Sequence, residues 1–128
     1  MNKVVINDLP LISENAAYKN RTWSGMKGRK STQDAEALKT QIGWEIKMQC
    51  PEIVPDEKNE FEVHLEITFP DKRKRDISNY EKLIFDSMIG IVFKDDRQIS
   101  FHSNKRIFGK TWGLVIKFDI IKFCSYFY

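Results

Sequence analysis

The stretch FEVHLEITF, residues 61 to 69, constrains the fold most. Phe61, Val63, Leu65, Ile67 and Phe69 alternate with Glu62, His64, Glu66 and Thr68. Successive side chains of an extended chain point to opposite faces, so the pattern predicts a strand with one buried face and one solvated face. Such a strand needs neighbours in a sheet and a second layer over its apolar side. Val4, Ile6 and Leu9 predict a short first strand. Ile99 and Phe101 start another, and Trp112, Leu114, Ile116 and Phe118 alternate through a last one. Ser31 or Thr32 is placed to cap a helix running to about Met48, with Ala35, Leu38, Ile42 and Ile46 near helical spacing. Ser78 or Asn79 would cap a second helix through about Met88 that buries Ile84, Phe85 and Met88 and is closed by Gly90. The segment PLISENAAYKNRTWSGMKGRKS reads as a long loop, and KDDR as a turn. Lys105, Arg106 and Lys110 fall in an expected hairpin turn between the last two strands. The order strand, helix, strand, helix, strand, strand implies an α/β (α+β) fold of two layers, helices packed on a mixed β-sheet. One domain covers residues 1–128.

Apolar residues make up 41% of the 128 and charged residues 30%, a balance suited to one soluble domain. No apolar run reaches the length of a membrane span. The first residues lack the charged and long apolar regions of a signal peptide, so the expected location is the cytoplasm. Cys50 and Cys124 have no ligand-like spacing and read as reduced thiols. The aromatic tail IIKFCSYFY is expected to pack on the body or in an oligomer. A net charge of +3 is mild, but the cations are clustered.

The cluster lies in PDKRKRDISNYEKLIFDSMIGIVFKDDRQI, residues 70 to 99. Taken alone, Lys72, Arg73, Lys74 and Arg75 are a solvated charge run. Asp76 beside them changes the reading, because a phosphate backbone is held by cations and a hard divalent metal by carboxylate oxygens. A metal between the two polarises the phosphoryl oxygen and activates water. Asp95 and Asp96 supply further carboxylates, although an Asp pair also stabilises a turn. Lys82 is one helical turn past Ser78, where its ammonium would stabilise charge on a phosphate, and Asp86 shares its face as an ion-pair partner.

This pattern resembles the RusA-type Holliday junction resolvases, small Mg²⁺-dependent endonucleases common in prophages. The basic run, an Asp-x-Asp-Asn position, a lysine three residues after the Asn, a Phe-Asp pair and an Asp-Asp followed by Gln-Ile occur in order from Pro70 to Ile99. The resemblance implies a homodimer in the cytoplasm of a bacterial or phage-infected cell. It implies paired symmetric nicks in four-way branched DNA during recombination and repair, with Mg²⁺ as cofactor and Mn²⁺ able to substitute. It places the metal carboxylates at Asp76 and Asp96, with Asp95 adjacent, and the catalytic lysine at Lys82. The chain departs from the family at Ser78, a neutral oxygen where a second carboxylate is expected. Two outcomes follow: a protein that binds branched DNA and cuts it poorly, or a site in which Asp95 or Asp71 takes over. A third reading is a protein-interaction role with DNA binding lost.

Arg21, Lys27, Arg29 and Lys30 form a second basic segment expected to touch DNA, with Tyr18 and Trp23 available for stacking on bases. His64 and His102 read as exposed or hydrogen-bonded, and Trp44 and Trp112 as core or interface.

Overall fold

The computed structural model describes residues 1–23 and 26–121, and for residues 19–30 the backbone alone. Its elements are β1 (Asn2–Asn7), α1 (Glu14–Ala17), β2 (Tyr18–Trp23), β3 (Met26–Ser31), α2 (Gln33–Gln49), β4 (Phe61–Phe69), α3 (Glu81–Met88), β5 (Ile99–Phe108) and β6 (Gly113–Ile120). β4 buries every odd position and leaves every even one part-exposed, as the alternation predicts. Leu65, Ile67 and Phe69 are among the largest fully buried side chains. Burying a side chain of this kind contributes about 1.5–3 kcal/mol.

β4 lies inside a four-stranded mixed sheet of order β1-β6-β4-β5. It pairs antiparallel with β6 and parallel with β5, while β1 pairs antiparallel with β6. The helices cover one face, so the fold is the expected two-layer α+β arrangement. Thr32 caps α2, its hydroxyl accepting from Ala35 N at 3.2 Å. Ala35, Leu38, Ile42 and Ile46 are buried at helical spacing. Trp44 and Met48 are not core: they are 66% and 62% exposed on the opposite face. No helix among the described residues is long and apolar enough to cross a membrane.

Three local expectations are corrected. The segment read as a long loop holds α1 and a two-stranded antiparallel ribbon, β2 with β3. The sequences YKNRTW and MKGRKS have no apolar alternation, so the pairing, which needs only backbone groups, leaves no periodic signal. The second helix is capped neither by Ser78 nor by Asn79. Asp76 caps a single 3-10 turn, Ile77–Tyr80, and α3 follows it. Finally, β5 and β6 do not form a hairpin; they flank β4 on opposite sides. Lys105 and Arg106 lie within β5, and the connection crosses the end of β4. The crossing passes so close that a Cβ on Gly109 would come within 2.8 Å of Thr68 Cγ2, which is why glycine stands there.

Parallel strands need a crossover. Here the crossover from β4 to β5 is residues 70–98, the segment that carries the candidate site. Asp76 stands before its helix and Asp95 and Asp96 after it. Of the aromatic tail, residues 120–128, Ile120 ends β6 and residues 122–128 lie outside the described residues.

Candidate active site

The crossover begins with the basic run. Lys72, Arg73 and Lys74 are exposed. Arg75 is different: its side chain is only 10% exposed and it grips Asp71, Nη1 to Oδ1 at 2.8 Å and Nη2 to Oδ2 at 3.3 Å. Its guanidinium also lies 5.2 Å from the ring centres of both Phe69 and Trp112. The Arg75 hydrogen bond, helped by the backbone N–H of Arg73, holds the Asp71 carboxyl below the usual carboxylate range. Arg106 reaches across from β5 and donates to the Arg75 carbonyl at 2.6 Å. Three cations of the run therefore project, while the fourth fixes the loop that carries them.

Asp76 is engaged within its own turn. Its Oδ1 accepts from Ser78 N at 3.1 Å and from the Ser78 hydroxyl at 2.8 Å. Ser78 thus serves as a donor to Asp76. It adds no charge to a site for a cation.

Lys82 lies in the first turn of α3 and Asp86 one turn further on. Their side chains meet as the four-residue spacing predicts, Lys82 Nζ to Asp86 Oδ2 at 3.5 Å. The Asp86 Oδ2 atom also accepts the Tyr18 hydroxyl at 2.5 Å. Tyr18 is 7% exposed, so it is not free to stack on a base.

The crossover ends in a second 3-10 turn, Asp96–Gln98, capped by Asp95. Asp95 Oδ1 accepts from Arg97 N at 2.9 Å and its Oδ2 meets Arg97 Nη2 at 3.1 Å. Gln98 closes a capping box by accepting from Asp95 N at 3.1 Å. It also donates to the carbonyls of Asp56 and Asn59, tying the turn to the chain before β4. The bonds from Arg97 hold Asp95 below the usual carboxylate range. Asp96 moves the other way: desolvation, a hydrogen bond shared with Asp95, and the charges of Asp95 and Asp86 push its carboxyl up, while Lys82 opposes them.

Lys82 and Asp86 pair on α3, Asp95 and Asp96 stand together on the downstream turn near enough for their charges to be felt, and Asp76 is held by Ser78 in its own turn. Among the described residues no three His, Cys, Asp or Glu side chains are placed together to hold a metal ion. Mg²⁺ commonly takes one or two carboxylates and completes its shell with water. Asp95 and Asp96, adjacent on the downstream turn, could supply carboxylates of that number. Arg21, Lys27, Arg29 and Lys30 lie on β2 and β3, and their side chains are outside the described residues. His64 bonds Ser103 at 2.6 Å, and His102 lies 3.7 Å from Glu81; neither touches the acidic group.

Asp86 was legible as the partner of Lys82, and Tyr18 only as a candidate for stacking on bases; the bond between them, across 68 positions, left no signal. The family of endodeoxyribonuclease RusA matches residues 10–118, and the chain belongs to that family. Membership implies a Holliday junction resolvase, a nuclease acting on branched DNA. A comparison with curated proteins finds no match.

Proposed function

We propose that the chain is a metal-dependent endonuclease that resolves four-way DNA junctions by paired symmetric nicks, in recombination of prophage origin. The observation that carries the reading is the Lys82–Asp86 pair on the same crossover as the Asp95–Asp96 turn, in a chain of this family. Mg²⁺, or Mn²⁺ in its place, would be held by Asp96 with Asp95, with Asp76 the further ligand that the family pattern implies, and would supply Lewis-acid polarisation of the phosphate. Ser78 holds Asp76 in place for this role through its hydroxyl. Lys82 places its ammonium against the charge that develops on the phosphate. Lys72, Arg73 and Lys74 seat the DNA backbone, and Arg75 keeps their loop in shape. The basic residues Arg21, Lys27, Arg29 and Lys30 extend the same surface. Two copies would match the twofold symmetry of a junction. Trp44 and Ile89, on the same groove, and Met48, one turn from Trp44, give such a dimer an apolar surface. The enzyme would work in the cytoplasm of a bacterial or phage-infected cell.

The test is nicking of a synthetic four-way junction and of matched linear duplex with Mg²⁺, with Mn²⁺ and with chelator. Metal-dependent nicks confined to the junction are expected. Nicks that persist in chelator would reject metal dependence, and equal cutting of duplex would reject junction selectivity.

A second reading, a junction-binding protein with impaired cleavage, is favoured by one observation. Ser78 is a hydroxyl donating to Asp76 where the family pattern expects a carboxylate. Junction-selective binding without nicks, with cleavage gained in Ser78→Asp, would support it.

A further inference from the structure

Tyr18 stands where the basic ribbon leaves the body of the protein. Its hydroxyl donates to Asp86 Oδ2 at 2.5 Å, the same oxygen that lies 3.5 Å from Lys82 Nζ. Its ring lies beneath two ammonium groups, Lys82 Nζ at 5.0 Å from the centroid and Lys39 Nζ at 5.4 Å. Burial and the bond to Asp86 push the phenol well above its ordinary range, so it stays a neutral donor.

The opposite strand of the ribbon is tied in the same way. Ser31 faces Tyr18 in the pairing of β2 with β3, and its hydroxyl donates to Glu36 on α2. Glu36 in turn holds Lys39 at 2.9 Å. A backbone bond from Thr32 N to Ala17 O, 2.7 Å, closes the root of the ribbon. Both strands are thereby fastened to the helices, and the Tyr18 fastening ends on the side chain that orients Lys82.

A staple that only joined the ribbon to the body could have ended on any polar atom of α3. This one shares a single carboxylate oxygen with the lysine. Without the hydroxyl, Asp86 loses a donor, and the Lys82 ammonium loses the fixed counter-charge that sets its position.

We propose that Tyr18 is a positioning residue: it fixes Asp86 and, through Asp86, the ammonium of Lys82, making the root of the basic ribbon part of the framework of the site. The inference rests on the nuclease reading of Lys82. Tyr18 is buried with its hydroxyl on Asp86, so its loss would affect the chemical step more than junction binding.

The experiment compares wild type, Tyr18→Phe, Asp86→Asn and the double variant. Tyr18→Phe keeps the ring under both ammonium groups and removes only the donor. Three quantities are read: the single-turnover nicking rate with Mg²⁺, the junction Kd without metal, and acylation of Lys82 by a small amine-reactive ester, with Lys72 as internal reference. Tyr18→Phe should slow nicking roughly tenfold, short of the hundredfold that a misplaced group can cost, and leave Kd within about twofold. Lys82 acylation should change several-fold while Lys72 stays constant. The double variant should be no slower than Asp86→Asn, because both act through one oxygen. Wild-type nicking and acylation in Tyr18→Phe would overturn the proposal, as would losses that multiply in the double variant. If the wild type does not nick, the nuclease reading fails, and the acylation ratio alone decides the positioning claim. If Tyr18→Phe does not fold, Asp86→Ala removes the same bond from the other side, and an unchanged Lys82 ratio there overturns the proposal.

Discussion

The crossover contains two single-turn 3-10 helices, each capped by an aspartate, and they differ in what the cap leaves over. In the upstream turn Asp76 is cap and candidate ligand at once, and its Oδ1 takes both the backbone N–H and the hydroxyl of Ser78. In the downstream turn the two duties are divided. Asp95 caps, held by Arg97 and completed by Gln98, while its neighbour Asp96 makes no cap bond and feels the charges of Asp86 and Lys82. An acidic pair lets one residue build the turn and the other do chemistry. A lone aspartate followed by Ile-Ser must do both.

The largest expected effect breaks the downstream turn's chemical half. Asp96→Asn should lower junction nicking by more than roughly 100-fold, beyond what outer partners of a metal are usually worth. Its melting temperature should not fall, because the substitution removes a carboxyl crowded by like charges. Nicking assays and thermal unfolding on the same preparation check both parts. Next, Ser78→Asp should give the upstream turn the divided duties of the downstream one. Mg²⁺ affinity by calorimetry should rise by about tenfold, since added ligand charge tightens such sites. No gain in affinity would mean that the missing carboxylate is not what separates the turns. Asp95→Ala should break the structural half: it removes the cap and the capping box, and the melting temperature should drop by a few degrees.

The smallest effect concerns the loop before the upstream turn. The folded-state pKa of Asp71 is depressed by Arg75, so its contribution to stability is present above the unfolded value of about 3.9. It is lost as pH falls through the folded value. Asp71→Asn should therefore melt slightly below wild type at neutral pH, and the two curves should merge in acid. A difference that survives at low pH would mean that the ion pair is not its source.

Sequence periodicity reveals what is packed, and that explains where it succeeds. β4 and the buried stripe of α2 are visible because burial imposes spacings of two and of three to four. The four-residue pair Lys82–Asp86 is visible for the same geometric reason. The ribbon of β2 and β3 is not, because its strands pair only with each other and carry no apolar alternation. The caps fell two residues from their expected place because Asp76, Ser78 and Asn79 can all cap, and only tertiary context selects among them. Trp44 shows the limit of composition: a large aromatic on a helix reads as core or interface, and its place off the stripe of Ala35, Leu38, Ile42 and Ile46 turns it outward. The bond between Tyr18 and Asp86 lies outside the family motif, because it joins distant segments.

The most direct test is a four-way junction with each strand labelled in turn, incubated with wild type and with Asp96→Asn in Mg²⁺. The account predicts nicks at symmetric positions on two opposing strands for wild type, and an intact but bound junction for Asp96→Asn. Nicking by Asp96→Asn at the wild-type rate, or an intact junction with both proteins, would contradict it.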